Sequence, residues 1–282
     1  MPSNPNHTIH QHRHHFGWDN ANEPALRVAP GETVAFETVD ASGGQLSRTS
    51  TVADVAALDF AKVNPVTGPV YVEGAEPGDA LKVTLEGFVP SGWGWTANIP
   101  GFGLLADDFP EPALHLWKYD PATMAPALYG PGGKVPLKPF TGTILYLPVA
   151  VPGALFSVGD CHAAQGDGEV CGTAIESPMV VTLAFDLVKG ANLKGPRLTT
   201  PGPVSRHFDV KGYEVTTGIN PDLFQGAKDA VRAMIDLLSG RHGMAPVEAY
   251  MLCSVCADLH ISEIVDQPNW LVSCYFPRVV LD

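Results

Sequence analysis

Short apolar runs follow one another along most of the first 215 residues, and glycine or proline closes most of them. Runs of this kind, rich in β-branched and aromatic residues, predict strands over 33–39, 80–85, 142–149, 179–187 and 207–216. Pro30-Gly31-Glu32-Thr33-Val34 and Pro77-Gly78-Asp79-Ala80-Leu81 each predict a tight turn that feeds a strand. Beyond residue 215 the period changes. Leu223, Phe224, Ala227, Val231, Met234, Ile235 and Leu238 recur at three- and four-residue spacing, the stripe of a helix packed on a sheet. Asn220 is placed to cap that helix, Pro221 to take its first position, Asp222 to meet the positive end of its dipole and Gly240 to end it. A shorter helix is predicted over 246–257 and a last strand over 270–276. Strands early and helices late predict a mainly β chain, sandwich- or barrel-like, with an α+β C-terminal part. The expected organisation is a β-rich region over 1–215 that carries the site and a region over 216–282 packed on it as one catalytic unit.

Composition narrows the partners. Asp and Glu number 30 against 17 Lys and Arg, a formal charge of −13. That charge repels phosphate backbones and anionic lipid surfaces, so neither nucleic acid nor membrane is expected as a partner, while an uncharged small molecule is unaffected. The N-terminus has no apolar stretch of signal-peptide length and no window has the ~18 unbroken apolar residues of a membrane span, which predicts a cytoplasmic protein. Five cysteines, Cys161, Cys171, Cys253, Cys256 and Cys274, are expected as reduced thiols. The Cys253/Cys256 pair sits at helical spacing in an apolar run and reads as packing. His7, His10, His12, His14 and His15 read as an exposed terminal arm. A homodimer is the expected assembly, through sheet edges or the apolar C-terminal helix.

Polar side chains are scarce enough that a dense group of them needs a reason, and the densest is VGDCHAAQGDGEVCGTAIE, 158–176. If the chain is extended after Gly159, Asp160 and His162 point to one side, and a reversal at Gly166-Asp167-Gly168 returns Gln165 and Glu169 toward them as the next strand starts. One imidazole and two carboxylates facing one pocket suit Zn²⁺, and with more oxygens Ca²⁺. Asp40, in the segment Thr38-Val39-Asp40-Ala41-Ser42-Gly43-Gly44-Gln45, is a candidate to complete the shell, and the double glycine lets backbone approach something closely. Gly92-Trp93-Gly94-Trp95-Thr96-Ala97-Asn98-Ile99-Pro100-Gly101-Phe102-Gly103 reads as an aromatic loop walling a pocket, with Asn98 oriented toward an amide.

These residues resemble the acetamidase/formamidase family, in which GD-x-H-x-x-QGDGE-x-x-G-x-A-x-E is matched here from Gly159 to Glu176. HHFGWDN, DASGGQ, NPVTGPVYVEGAEPGD, WGWTANIPGFGLLADDFPEP and ADLHISEIVDQPN extend the resemblance over most of the chain. It implies a β-sandwich-based fold, a divalent metal ion, with zinc first and calcium as the alternative, and hydrolysis of a short amide to the acid and ammonia. By the same match Asp40, Asp160, His162 and Glu169 are expected at the metal. His162, Glu169 and Glu176 are expected to be catalytic, and Gln45, Trp95, Asn98 and Gln165 to line the substrate. Cys161 and His260 depart from the family pattern, where an apolar residue and an arginine are expected. Three other readings compete: a hydrolase of cyclic amides, a thiol amidase using Cys161 or Cys171, and a metal-dependent small-ligand binding module. Adjacent residues on a strand face opposite ways, which argues against a Cys161–His162 pair.

Overall fold

The structure is a computed structural model that describes residues 5–130, 132–137, 141–204 and 208–281. Four of the runs read as strands, over 33–39, 80–85, 142–149 and 179–187, lie in the larger of two facing sheets; the strands of the smaller sheet were not among the expected runs. The larger has six strands in the order His7–Ile9, Thr33–Glu37, Met179–Val188, Ala80–Pro90, Ile144–Pro148 and Arg197–Thr199, antiparallel except for the first pair. The smaller places Val66–Val72 between Phe156–Gly159 and His14–His15, with Leu26–Val28 parallel beside it. Val34, Phe36, Val83, Leu183 and Phe185 of the first meet Val28, Val70, Val72 and Phe156 of the second in one apolar layer. Phe36, Phe156 and Phe185 stand edge-on to one another with centroids 5.2–6.1 Å apart. Each such buried side chain contributes about 1.5–3 kcal/mol, so this layer is what holds the strands in register. Both predicted turns are present, with Gly31 and Gly78 at φ +93° and +96° ahead of their strands.

The histidine arm is mostly exposed, as expected, while its backbone pairs: His7–Ile9 extends the larger sheet and His14–His15 the smaller. Other local expectations differ. The expected strand at 207–216 lies further along, at Tyr213–Asn220, and its first residue, 207, falls outside the described residues. Asn220 ends that strand, and Asp222 caps the long helix Leu223–His242 by accepting the N–H groups of Phe224 and Gln225 at 2.8 and 3.1 Å. Gly240 lies inside this helix, which ends at Gly243 in a left-handed conformation. The strand Asp258–Glu263 escaped the pattern because its residues are mostly polar and half or fully exposed, as an edge strand allows.

The C-terminal sheet, Tyr213–Asn220, Trp270–Pro277 and Asp258–Glu263, carries the long helix so closely that a Cβ on Gly218 would lie 1.9 Å from Gly226 O. The helix Pro246–Cys256 packs beside it and buries both Cys253 and Cys256. A single apolar cluster joins these elements to Leu105, Trp117, Tyr129, Val170, Cys171 and Ile175 from the preceding part of the chain. The site segment is therefore backed by the C-terminal helices.

Asp79, nearly enclosed in the second turn, accepts the N–H groups of Gly190 and Glu76, both at 2.9 Å, and the Lys189 ammonium. Its bond from Lys189, followed by those two backbone donors, holds the carboxyl at about 2. A carboxyl depressed in the fold stabilises it above the unfolded value of about 3.9, and that contribution is lost as pH falls toward about 2. Asp79→Asn is expected to lower the urea midpoint at neutral pH and to flatten the loss of stability between about pH 4 and pH 2; urea titrations across that window measure both.

Candidate functional site

The site is built around a segment that has no regular sheet of its own. Phe156–Gly159 ends, Asp160 turns the chain at φ +51°, and residues 161–164 run back to back with 175–177: Ala163 N–H donates to Ile175 O, Ile175 N–H to Ala164 O and Ser177 N–H to Cys161 O, each at 2.9 Å. The intervening loop reverses at Gly166–Glu169, with Gly168 at φ +110° and Glu169 at φ +43°. The expected reversal is there, but irregular chain follows it where a strand was expected, and Asp160 meets His162 through a left-handed residue and not through an extended run. Two non-glycine residues in this region, both carboxylates, mark strain concentrated at the site.

Glu176 is the middle rung. Its backbone N–H donates to Trp95 O and its O accepts Trp95 N–H, both at 2.9 Å, while its other side bridges to His162. Gly94 makes this possible, since a Cβ there would lie 2.6 Å from Glu176 O. The segment read as an aromatic loop is accordingly a strand, Trp93–Asn98, paired with Ala113–Lys118. Its glycines admit a neighbouring backbone, a use of glycine that composition does not distinguish from a turn. Behind the loop, Ser254 of the helix Pro246–Cys256 accepts Cys171 N–H at 3.0 Å and donates to Thr173 O at 2.7 Å. Tyr250 Oη bonds Leu105 N–H and Val170 O. Sequence reasoning did not single out Gly94, Tyr250 or Ser254; a lone serine in an otherwise apolar helix was the available signal for the last.

Three ligand-type groups converge here. Asp160, His162 and Glu176 bring donor atoms within 4.8 Å of one another, a group able to hold a metal ion. His162 Nε2 is 3.0 Å from Glu176 Oε2, 3.3 Å from Asp160 Oδ1 and 3.8 Å from Glu169 Oε1. On the opposite edge of the ring, His162 Nδ1 lies 2.7 Å from Gln165 Oε1. An amide oxygen only accepts, so Nδ1 carries a proton and Nε2 is the ring nitrogen turned to the carboxylates. Glu176 is 2% exposed; its Oε1 accepts Ala174 N–H at 2.8 Å, and its Oε2 has no hydrogen-bond partner of acceptable geometry. A buried carboxylate oxygen with no hydrogen bond, 3.0 Å from an imidazole nitrogen, fits a cation shared between them.

The electrostatics agree. Burial pushes the Glu176 carboxyl up to about 7 and raises that of Glu169. Burial would lower the His162 imidazole, but the carboxylates of Asp160 and Glu176 that face it raise it to about 11. The same His162 contact lowers Asp160. Three acids around one nitrogen demand a positive charge, whether a proton or a metal ion supplies it.

Other expected residues have hydrogen-bond partners of their own. Asp40 lies outside the group of three; its Oδ1 accepts the Trp95 indole N–H at 2.9 Å and the backbone and hydroxyl of Ser42. Gln45 binds Asp59 at both ends of its amide. Asn98 donates to Phe109 O and Glu111 O at 2.8 and 2.7 Å. Trp95 is buried and walls a small cavity of about 140 Å³ that also touches Asp160, Glu169 and Glu176. Burial raises the thiols of Cys161 and Cys171 away from the thiolate, the wrong direction for a nucleophile.

The sequence profile of the Acetamidase/Formamidase family matches residues 3–144 and 123–282. The formamidase of Methylophilus methylotrophus is 26% identical over an alignment that covers 90% of this chain and 86% of its own length. An acetamidase from Bacillus halodurans superposes with a TM-score of 0.63 at 28% identity, covering 95% of this chain and 96% of that one. A gamma lactamase from Delftia acidovorans superposes with a TM-score of 0.83 at 23% identity, over 96% and 90% of the two chains, a likeness of fold.

Gly94→Ala is expected to force Glu176 away from His162. The change should cost about 1–3 kcal/mol of stability, read by urea titration. It should also weaken binding of a divalent cation by roughly tenfold or more, read by zinc calorimetry. Unchanged zinc affinity in a folded variant would show that the position of Glu176 does not matter.

Proposed function

Because the chain belongs to the acetamidase/formamidase family it is a hydrolase of small amides, and we propose that it cleaves a short linear amide at the carboxylate–imidazole group with a divalent metal ion. The observation that carries this reading is the convergence of Asp160, His162 and Glu176 on one another, with Asp160 and Glu176 also lining a small cavity and one Glu176 oxygen without a hydrogen bond. Asp160, His162 and Glu176 would hold the ion. Three mixed nitrogen and oxygen donors favour zinc, since calcium takes about six to eight oxygens.

An amide resists hydrolysis because its carbonyl is resonance-stabilised and its nitrogen leaves poorly. A divalent cation supplies Lewis acidity at the carbonyl oxygen and makes water a better nucleophile near neutral pH. Glu169 lines the same cavity 3.8 Å from His162 Nε2 with a raised pKa, which suits it to take a proton from the attacking water and return it to the departing nitrogen. Gln165 holds the Nδ1 proton of His162, keeping Nε2 turned toward the carboxylates. Trp95, fixed by Asp40, offers the substrate an apolar wall.

The region over 1–215 and that over 216–282 act as one unit on this reading, in keeping with the apolar cluster they share. Five free thiols accord with a cytoplasmic setting, no helix among the described residues is long and apolar enough to cross a membrane, and exposed Val215 and Ile219 on the C-terminal sheet are compatible with a homodimer.

Ammonia release from formamide, acetamide, propionamide and a small lactam, before and after chelation with zinc added back, tests the reaction. Release from the short linear amides that chelation abolishes and zinc restores is expected. His162→Ala should fall to the background rate, and Gln165→Ala should bind zinc about 10–100-fold more weakly. Full turnover by His162→Ala, or chelator-resistant turnover by protein free of metal, would reject the mechanism. Preference for the lactam would move the substrate to cyclic amides.

A further inference from the structure

The 140 Å³ cavity beside Asp160, Glu169 and Glu176 is also lined by two rings, Phe60 and Phe102. Their centroids are 6.2 Å apart and their planes 72° apart, an edge-to-face contact, and they are 53% and 44% exposed. Rings that line a cavity and also face solvent stand at its mouth. From this geometry we infer that the Phe60–Phe102 pair is the size filter of the enzyme, setting the largest acyl group that reaches the carboxylates; the inference rests on the amidase reading above.

Both rings are held in place by groups that have no other evident task. Phe102 lies against Gly172: a Cβ on Gly172, which has φ +86°, would come within 2.4 Å of the ring. Phe60 opens the short turn Phe60–Lys62, capped by Asp59 through Ala61 N–H at 3.0 Å. That turn is bolted to the DASGGQ segment. Gln45 Oε1 accepts Asp59 N–H at 2.8 Å, Gln45 Nε2 donates to Asp59 O at 3.1 Å, and Asn64 N–H donates to Ala41 O at 2.8 Å. A Cβ on Gly43 would lie 1.9 Å from Lys62 O, so only glycine lets the two backbones meet. The DASGGQ segment thus positions the gate instead of touching the substrate through Gln45.

The volume states the limit. A cavity of about 140 Å³ behind two rings favours a short acyl group, as in acetamide or propionamide, over a ring such as that of benzamide. Truncating either ring removes the outer wall without changing the carboxylates or His162.

The test compares kcat/KM for benzamide and acetamide, measured by ammonia release from the metal-loaded protein. Phe60→Ala and Phe102→Ala are each expected to raise the benzamide-to-acetamide ratio by about tenfold or more. Gln45→Ala, which frees the Phe60 turn, is expected to move it in the same direction by less. Phe60→Trp fills the mouth and should lower propionamide relative to formamide, a readout that partial unfolding does not produce. A ratio that stays within about twofold of the wild type in both alanine variants, with acetamide still cleaved, overturns the filter and leaves the amidase intact. So does wild-type protein that cleaves benzamide as efficiently as acetamide. Absence of ammonia release from every amide by every form overturns the amidase reading itself, and the filter with it.

Discussion

The two backbone hydrogen bonds between Trp95 and Glu176 are the contact on which the site depends. Residues 160–177 form no sheet of their own, and a carboxylate carried on irregular chain is ordinarily mobile. Here that segment leans on a strand: Glu176 is bonded to Trp95 on one side, and its neighbours Ile175 and Ser177 bond the His162 segment on the other. The side chain of a residue pinned in this way has little freedom left, which is what a group held beside Asp160 and His162 requires. Gly94 is the permissive condition, because any side chain there would occupy the space of the Glu176 carbonyl.

Holding these acids together opposes stability. Glu176 is buried with one oxygen unpartnered, and Asp160 and Glu169 both adopt left-handed backbone. A buried unpaired acceptor costs about 1–3 kcal/mol, and a non-glycine residue in a sparsely populated backbone region costs a similar amount. The fold offsets this from outside the segment. Ser254 and Tyr250 hold the loop from the helix behind it, and the sandwich layer around Phe36, Phe156 and Phe185 fixes the strand from which the segment departs. Local disfavour of this kind persists only where surrounding structure over-determines it, and the helix Pro246–Cys256 supplies that surround.

The motif at 159–176 was legible in the sequence because its residues are close in the chain and their types are chemically specific. Asp160, His162, Gln165 and Glu169 do meet near one ring. The rank expected within the set, with Glu169 at the metal and Glu176 outside it, is not the one the geometry gives. Glu176 stands in the tight group of three and Glu169 one step out, an order decided by the bridge to Trp95, far away in sequence. Asp40 and Gln45 illustrate the complementary difficulty. Their types suit a ligand and a substrate contact, yet their polar atoms are engaged with Trp95, Ser42 and Asp59, and such local satisfaction has no signature in composition. The aromatic–glycine stretch was read as a loop for a related reason: glycine admits both a turn and a close neighbouring strand, and only the partner tells them apart. The helices and inner strands were readable because burial imposes a period on them, whereas the edge strand Asp258–Glu263 buries little and carries none.

Charge links the site to the whole molecule on the amidase reading. A neutral amide feels little of the formal charge of −13, and neither that charge nor the three carboxylates hinder its entry. Hydrolysis changes this at once, since the acyl half becomes a carboxylate in a pocket already lined by Asp160, Glu169 and Glu176. Like charges within a few ångströms of one another in a poorly hydrated cavity repel strongly, and a cation shared by these acids offsets only part of that repulsion. The acidic lining therefore does two things with the same residues. It assembles the positive charge that hydrolysis needs, and it disfavours the product once that product has formed. The aromatic mouth then needs only to admit a small uncharged molecule and release a small charged one, a task for shape and not for binding energy.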